Sequence, residues 1–223
     1  MPIIVLEQVS KTYQSGANAV RALQNLSCTI EAGDFVCIAG PSGSGKSTLL
    51  HLIGGLDLPT SGTITVAGQK TTHLDRTDRA LFRRATIGFV FQTFNLIPVL
   101  TAGENVEYPL LLAGLGKDER RQRIKTALAD MGLDGVEHRP VTELSGGQQQ
   151  RVAIARAIAA GPPIVLADEP TANLDTATGQ AIIDLFVAIN RRRHTTFVFS
   201  SHDSRIIARA DRVLHLEDGR LVP

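Results

Sequence analysis

The segment FVCIAGPSGSGKSTLLHLI, residues 35–53, decides the fold. Five residues suited to a buried strand, FVCIA, run into a glycine-rich loop. Leu49, Leu50, Leu52 and Ile53 then recur at helical spacing. Within it, GPSGSGKST (residues 40–48) has the spacing G-x-x-x-x-G-K-[ST] between a strand and a helix. Glycines allow the backbone N–H groups of Ser42, Gly43, Ser44 and Gly45 to turn inward around phosphate oxygens. The helix N-terminus adds a favourable dipole. Lys46 is placed to bridge β- and γ-phosphates, Ser47 to sit on Mg²⁺, and Thr48 to donate to the α-phosphate.

A second segment, IVLADEP (residues 164–170), reads as a buried strand with two carboxylates at its C-terminal end. Ligands bind at that end in open α/β sheets. Asp168 suits the Mg²⁺ shell, and Glu169 is placed to polarise an attacking water. Adjacent carboxylates in an apolar segment are costly without a cation. Gln92 ends the predicted strand IGFVFQ and could reach Mg²⁺ and the water. His202, after FVFSS, could contact the γ-phosphate, and Asp175 lies just beyond Glu169.

The remaining pattern is that of an α/β core with an insertion. IIVLEQVSKTY, ALQNLSCTI and GTITVAG are short, β-branched and partly antiparallel in character. From about residue 103 to 160 the pattern is mostly helical, with Ile124, Leu128 and Met131 on one face and Gly132 at a helix end. The core then resumes and closes on a hairpin whose turn is Asp218-Gly219.

The 223 residues suit one domain, 1–223, with a sizeable core. A net charge of +1 argues against a general nucleic-acid binder, so no direct nucleic-acid partner is expected. Arg191, Arg192 and Arg193 are expected to form a solvated helix end. No apolar run approaches the roughly 20 residues of a membrane helix, and the first residues lack a basic leader, so a membrane role requires a partner. Cys28 and Cys37 are expected as buried, reduced core residues, which fits a cytosolic compartment.

The segment TELSGGQQQRVAIARAIAAG (residues 142–161) has Ser145, Gly146, Gly147 and Gln148 ahead of a helix, yet no lysine, metal cluster or base. Ser145 can cap that helix and the glycines expose N–H groups, which makes an anion-binding end without chemistry of its own.

Together these segments resemble the ATP-binding-cassette (ABC) ATPases over nearly the whole chain. In order they match a Walker A loop, a Q-loop at Gln92, the signature LSGGQ (residues 144–148), a Walker B strand, a D-loop NLD ending at Asp175, and a switch histidine at His202. Tyr13 lies where this family stacks an aromatic on adenine, and Val20 lines the same pocket. The resemblance implies a RecA-like P-loop core with an antiparallel β-subdomain and an inserted α-helical subdomain. It implies ATP and Mg²⁺ as ligands, with Glu169 as general base and His202 and Gln92 completing the catalytic set. Ser145–Gln148 and Asp175 would act in trans, across a head-to-tail homodimer. GGLDLPTSG, IGFVFQTFNLIPVLTAGENVEYPLLLAG and LADEPTANLD are similar to the branch containing macrolide exporters and lipoprotein-releasing complexes. Ala172 replaces that branch's usual glycine, and Ser200-Ser201 replaces its usual residues before His202-Asp203.

The implied role is the ATPase of an export or mechanotransmission machine at the cytoplasmic face of a membrane. An integral-membrane permease is expected to dock near residues 92–106 and the helical subdomain. Phe94, Leu96, Ile97, Val99 and Leu100 are expected to be mostly buried, with a minority exposed as a groove. An ABC importer ATPase and a soluble ABC ATPase acting on nucleic acid or ribosomes are the alternatives. The importer reading is disfavoured by the chain stopping soon after LEDGRLVP. The soluble reading is disfavoured by the short interval between the Walker A loop and the signature LSGGQ and by a single cassette.

Overall fold

A computed structural model describes residues 1–15 and 18–222. Two sheets flank one helix. The first is antiparallel, in the order β2-β1-β4-β5, built from β1 (Pro2–Ser15), β2 (Asn18–Glu31), β4 (Ser61–Val66) and β5 (Gln69–Lys70). The second contains β3 (Phe35–Ala39), β6 (Ile87–Val90), β7 (Ile164–Asp168), β8 (Thr196–Ser200), β9 (Arg212–Glu217) and β10 (Arg220–Val222). Its order is β10-β9-β3-β8-β7-β6, parallel from β9 to β6, with β10 antiparallel at the edge. This is an α/β P-loop core with an antiparallel β-sheet and an inserted helical layer.

Strands buried on both faces lose the polar alternation of a surface strand. In β3 all five residues are buried. Phe35, Cys37 and Ala39 join one core and Val36 and Ile38 the other, as the period of two requires. β7 divides likewise, Val165 and Ala167 from Ile164 and Leu166. The core between the sheets holds α1 (Lys46–Ile53), whose Leu49, Leu50, Leu52 and Ile53 are at most 1% exposed. The opposite core holds α3 (Ala102–Leu112), α4 (Lys117–Asp130), α5 (Gly146–Ile158) and α6 (Thr176–Arg193) against an aromatic group of Phe35, Phe186, Phe197 and Phe199. The short α7 (Ser204–Ile207) follows β8.

Ile124, Leu128 and Met131 are buried on one side of α4, and Gly132 takes φ 63° after it. Asp218 and Gly219 both take positive φ, as a two-residue hairpin turn demands. Three expectations need correction. α2 (Arg76–Thr86), capped by Asp75 accepting from Asp78 N, lies in a stretch that had no predicted element. Arg192 and Arg193 are not a merely solvated end: both pair with Asp130, at 3.0 and 2.7 Å, tying α6 to α4. Cys37 is buried, but Cys28 is only half-buried; both are free thiols, pushed up to about 12 and about 11 by burial. Among the described residues, no helix is long and apolar enough to cross a membrane.

Candidate functional site

The strand order places the loops after β3, β8, β7 and β6 in one row along one edge. That row carries Lys46, His202, Glu169 and Gln92. Gln92 and His202 lie two residues beyond their strands rather than ending them, because pairing stops at Val90 and Ser200. A cavity of about 740 Å³ opens there. It is lined by Tyr13, Val20, Arg21, Ala22, Gly40–Gly43, Gly45–Thr48, Gln92, Glu169, Ala172 and His202.

The loop between β3 and α1 is shaped by close approach. A Cβ on Gly40 would lie 2.1 Å from the Leu216 carbonyl oxygen, and one on Gly45 2.4 Å from that of Ala22. Gly45 also takes φ 105° immediately before the helix, a conformation that L side chains resist. Lys46 Nζ donates to the carbonyls of Gly40 (2.8 Å) and Pro41 (2.9 Å), so its ammonium is folded over the loop it precedes. Ser42, Gly43, Gly45, Ser47 and Thr48 line the cavity; Ser44 is 3% exposed and does not. Its hydroxyl is buried without a partner, and its backbone N–H donates to Pro41 O at 3.3 Å.

Ser47 Oγ donates to Asp168 Oδ1 at 3.0 Å, which joins the start of α1 to the end of β7. Hard oxygen donors on two elements beside an anion cradle suit Mg²⁺. The described residues hold no cluster of three His, Cys, Asp or Glu for a metal, so phosphate oxygens would have to complete this shell. Gln92 lines the same cavity, and its backbone carbonyl accepts from Asn173 Nδ2 at 3.0 Å.

Glu169 takes φ 44°, a strained conformation for a non-glycine residue. Its N–H donates to Ser200 O at 2.8 Å, which fixes the turn at the end of β7. One carboxylate oxygen stands 2.9 Å from His202 Nδ1, and the other accepts from Ser201 Oγ at 3.3 Å. The carboxylate is 16% exposed, His202 73%. The pair is a half-buried carboxylate beside an exposed imidazole.

Sequence reading missed the brace behind this pair. Asp203 accepts from Thr171 Oγ1 and, bidentately, from Arg205, whose Nη1 donates to Thr176 O at 2.7 Å. The Arg205 guanidinium holds the Asp203 carboxyl down to about 2. Gly179 accommodates that guanidinium, since a Cβ there would lie 2.8 Å from it. The Ser-His-Asp order at residues 201–203 was the available signal, but Arg205 had none.

The signature residues stand outside the cavity. Ser145 caps α5 in a reciprocal capping box: its Oγ accepts from Gln148 N (3.3 Å) and Gln148 Oε1 accepts from Ser145 N (3.0 Å). No acidic residue occupies the first turn. A Cβ on Gly147 would lie 2.7 Å from Thr178 Cγ2, so α5 and α6 start side by side. Asp175 caps α6 by accepting from Thr178 N, and Thr178 holds its carboxyl below the usual range. Ser145, Gly146, Gly147, Gln148 and Asp175 therefore form one solvent-facing helix-start surface, none of it lining the nucleotide-sized cavity.

A second cavity, about 390 Å³, lies between β6 and α3 and is lined by Phe89, Phe91, Ile97, Tyr108, Leu112 and Arg156 among others. Here the structure overturns the expected burial of residues 94–100. Phe94, Leu96, Ile97 and Leu100 are only half-buried and Val99 is 88% exposed. The segment is held as a loop by its backbone: Arg156 donates to the carbonyls of Phe94 and Asn95, and Asn105 holds Ile97. Polar anchors replace burial.

A family model described as "ABC transporter" matches residues 23–172. The lipoprotein-releasing system ATP-binding protein LolD of Anaeromyxobacter dehalogenans is 48% identical over 99% of this chain and 93% of its own length. The macrolide export ATP-binding/permease protein MacB of Hyphomonas neptunium is 45% identical over 99% of this chain, which spans only 34% of that longer relative. The solved dimer of the ATP-binding cassette MJ0796 of Methanocaldococcus jannaschii, in a post-hydrolysis state bound to ADP and Pi, superposes with TM-score 0.92 at 45% identity. That match covers 99% of this chain and 97% of the other. Similarity of this extent, with the phosphate loop inside the matched segment, assigns the family: the chain belongs to the ABC transporter ATP-binding proteins.

Proposed function

We propose that this chain hydrolyses ATP as a head-to-tail homodimer and powers an export or mechanotransmission machine through a separate integral-membrane partner. One observation carries the reading. Lys46, Ser47, Gln92 and the half-buried Glu169 carboxylate line one cavity, with Asp168 bonded to Ser47 behind it, while a capped, anion-seeking helix end faces solvent outside it. Each half lacks what the other has.

ATP's β- and γ-phosphates replace the Gly40 and Pro41 carbonyls on Lys46, exchanging neutral acceptors for charged ones. Ser47, Asp168 and Gln92 would hold a magnesium ion that arrives with the nucleotide, and that ion would neutralise phosphate charge. Glu169 takes a proton from water as the water oxygen attacks the γ-phosphorus and the bond to the β-phosphate oxygen breaks. His202 orients that carboxylate and contacts the γ-phosphate. The N–H groups of Gly146 and Gly147 of the second copy close on the γ-phosphate, with the Ser145 hydroxyl, Gln148 and Asp175 beside them. ATP drives closure only through better binding to the closed state, and the lost γ-phosphate contacts release it.

The cavity between β6 and α3, with Tyr108 and Leu112 about half exposed at its rim, fits a short apolar helix of the membrane partner. The chain then works peripherally on the cytoplasmic face, as one cassette with residues of roughly 103–160 as its helical subdomain. The relatives MacB and LolD, named for macrolide export and lipoprotein release, support the export-type reading.

Glu169→Gln tests the chemistry. The amide keeps the shape but accepts no proton, so turnover falls by about 10²- to 10⁴-fold while an ATP-bound dimer accumulates in size-exclusion chromatography. An undiminished hydrolysis rate removes Glu169 as the base.

A further inference from the structure

The aromatic wall of the nucleotide cavity is held by two charged groups, Lys11 on its own strand and Asp57 in the loop after α1. Tyr13 pairs with Val20 across β1 and β2 at the cavity edge and is 38% exposed. An exposed ring at a strand end would ordinarily sample several rotamers. Here its hydroxyl donates to Asp57 Oδ2 at 3.0 Å. Lys11 Nζ lies 4.8 Å from the centroid of the ring and donates to Asp57 Oδ1 at 2.8 Å and to Leu58 O at 2.7 Å. The Lys11 side chain is only 12% exposed, so its ammonium depends on these partners.

Asp57 is itself anchored. Its Oδ1 accepts from Leu58 N at 2.7 Å, and Thr60 N donates to Ser10 O while Thr12 N donates to Thr60 Oγ1. The loop following α1 is thus zipped to the strand that carries Tyr13. Burial alone would raise the Asp57 carboxyl, but the Lys11, Leu58 and Tyr13 donors outweigh it and hold the group below its usual range. The tether is therefore ionised at neutral pH.

We infer that Asp57 and Lys11 are positioning residues for the nucleotide base: they fix the Tyr13 ring, cover one face with a cation and leave the other for the purine. The inference rests on the reading of Tyr13 as the base-stacking residue. A ring already immobilised loses no rotamer freedom when the base arrives. A cation on the rear face also draws electron density through the ring, which favours an electron-rich purine on the front. The loop places this device one helix away from Lys46, so base and phosphate subsites are set by the two ends of α1.

Calorimetric titration of the purified chain with Mg-ATP and with Mg-tripolyphosphate, which has no base, tests this. Asp57→Asn and Lys11→Met each raise the ATP dissociation constant by about three- to ten-fold and leave that of tripolyphosphate unchanged. In a Tyr13→Ala background, which itself weakens ATP, Asp57→Asn adds no further loss. If Tyr13→Ala weakens ATP but Asp57→Asn and Lys11→Met do not, the tether is overturned and the stacking role stands. If Tyr13→Ala leaves ATP affinity unchanged, the base-stacking reading fails and the tether with it. Equal weakening of tripolyphosphate by Asp57→Asn overturns the inference in favour of an effect on the phosphate loop.

Discussion

Mixing a Lys46→Ala chain with a Ser145→Arg chain tests the split site most directly. Lys46→Ala removes the ammonium that Gly40 and Pro41 now hold over the phosphate loop. Ser145→Arg removes the cap on Gln148 N and sets a long cation where α5 begins. Losing the cap costs about 1 kcal/mol. The unfavourable charge at the helix N-terminus adds about 0.3–1 kcal/mol. Gln148 Oε1 can still accept from the backbone N–H at position 145, so the box is only half broken. The total of about 1–2 kcal/mol is small beside a typical domain stability of about 5–15 kcal/mol, so the variant folds. Each variant alone has every composite site spoiled. Random pairing of equal amounts makes about half of the dimers mixed, each with one intact and one doubly damaged site, so about a quarter of all sites are restored. Hydrolysis and ATP-dependent heterodimer formation, read by tagging one variant, should both reappear in the mixture. No hydrolysis and no ATP-dependent heterodimer at any mixing ratio would refute the trans assignment of Ser145.

Three further outcomes are expected. Phe186→Ala, which removes the ring packed edge-on against Phe197 and Phe199, should lower unfolding stability by about 3–5 kcal/mol in urea titration; Phe186 is fully buried. Asp203 sits at about 2 against an ordinary 3.8, so its contribution is present above pH 4 and is lost as pH falls toward 2. Asp203→Asn should therefore narrow its stability deficit over that acid window, read as urea midpoint against pH; a deficit constant with pH contradicts the ion-pair account. Leu112→Asp, at the rim of the groove between β6 and α3, should leave ATP binding by the isolated chain unchanged and abolish co-purification of the membrane partner.

Much of the catalytic edge was legible because its signals are local. Residues 35–53 carry strand, loop and helix in unbroken order, and the glycines at 40 and 45 are demanded by carbonyls that no other residue could approach so closely. The Ser145 cap and the Asp218-Gly219 turn follow from chemistry within four residues. What the sequence hid depends on distant partners. Residues 94–100 read as core because they are apolar. Their conformation is instead set by Arg156, some 60 residues on, whose guanidinium takes the carbonyls of Phe94 and Asn95. Burial depresses that guanidinium below its ordinary value, and its hydrogen bonds offset the cost. Hydropathy reports which residues prefer to leave water, not whether a polar anchor lets them stay exposed.

The same distinction explains why the signature segment looked incomplete. Ser145, Gly146, Gly147 and Gln148 are equipped by local rules, yet they lie outside the cavity that Lys46 and Glu169 line. Their rigidity nonetheless connects to it. Gln150, fully buried one turn along α5, donates Nε2 to Pro170 O at 2.6 Å, immediately after Glu169. Gly147 abuts Thr178, which is capped by Asp175, and Arg205 ties Thr176 to Asp203 beside His202. The helix starts that would face a second copy are therefore braced against the turns that hold Glu169 and His202. A chain that needed only to bind nucleotide would have no use for a well-capped anion site on an outer face, nor for so many polar ties between that face and its catalytic edge. Under the proposed trans arrangement, the partner's phosphate would arrive at Ser145 when this chain's own phosphate is held at Lys46.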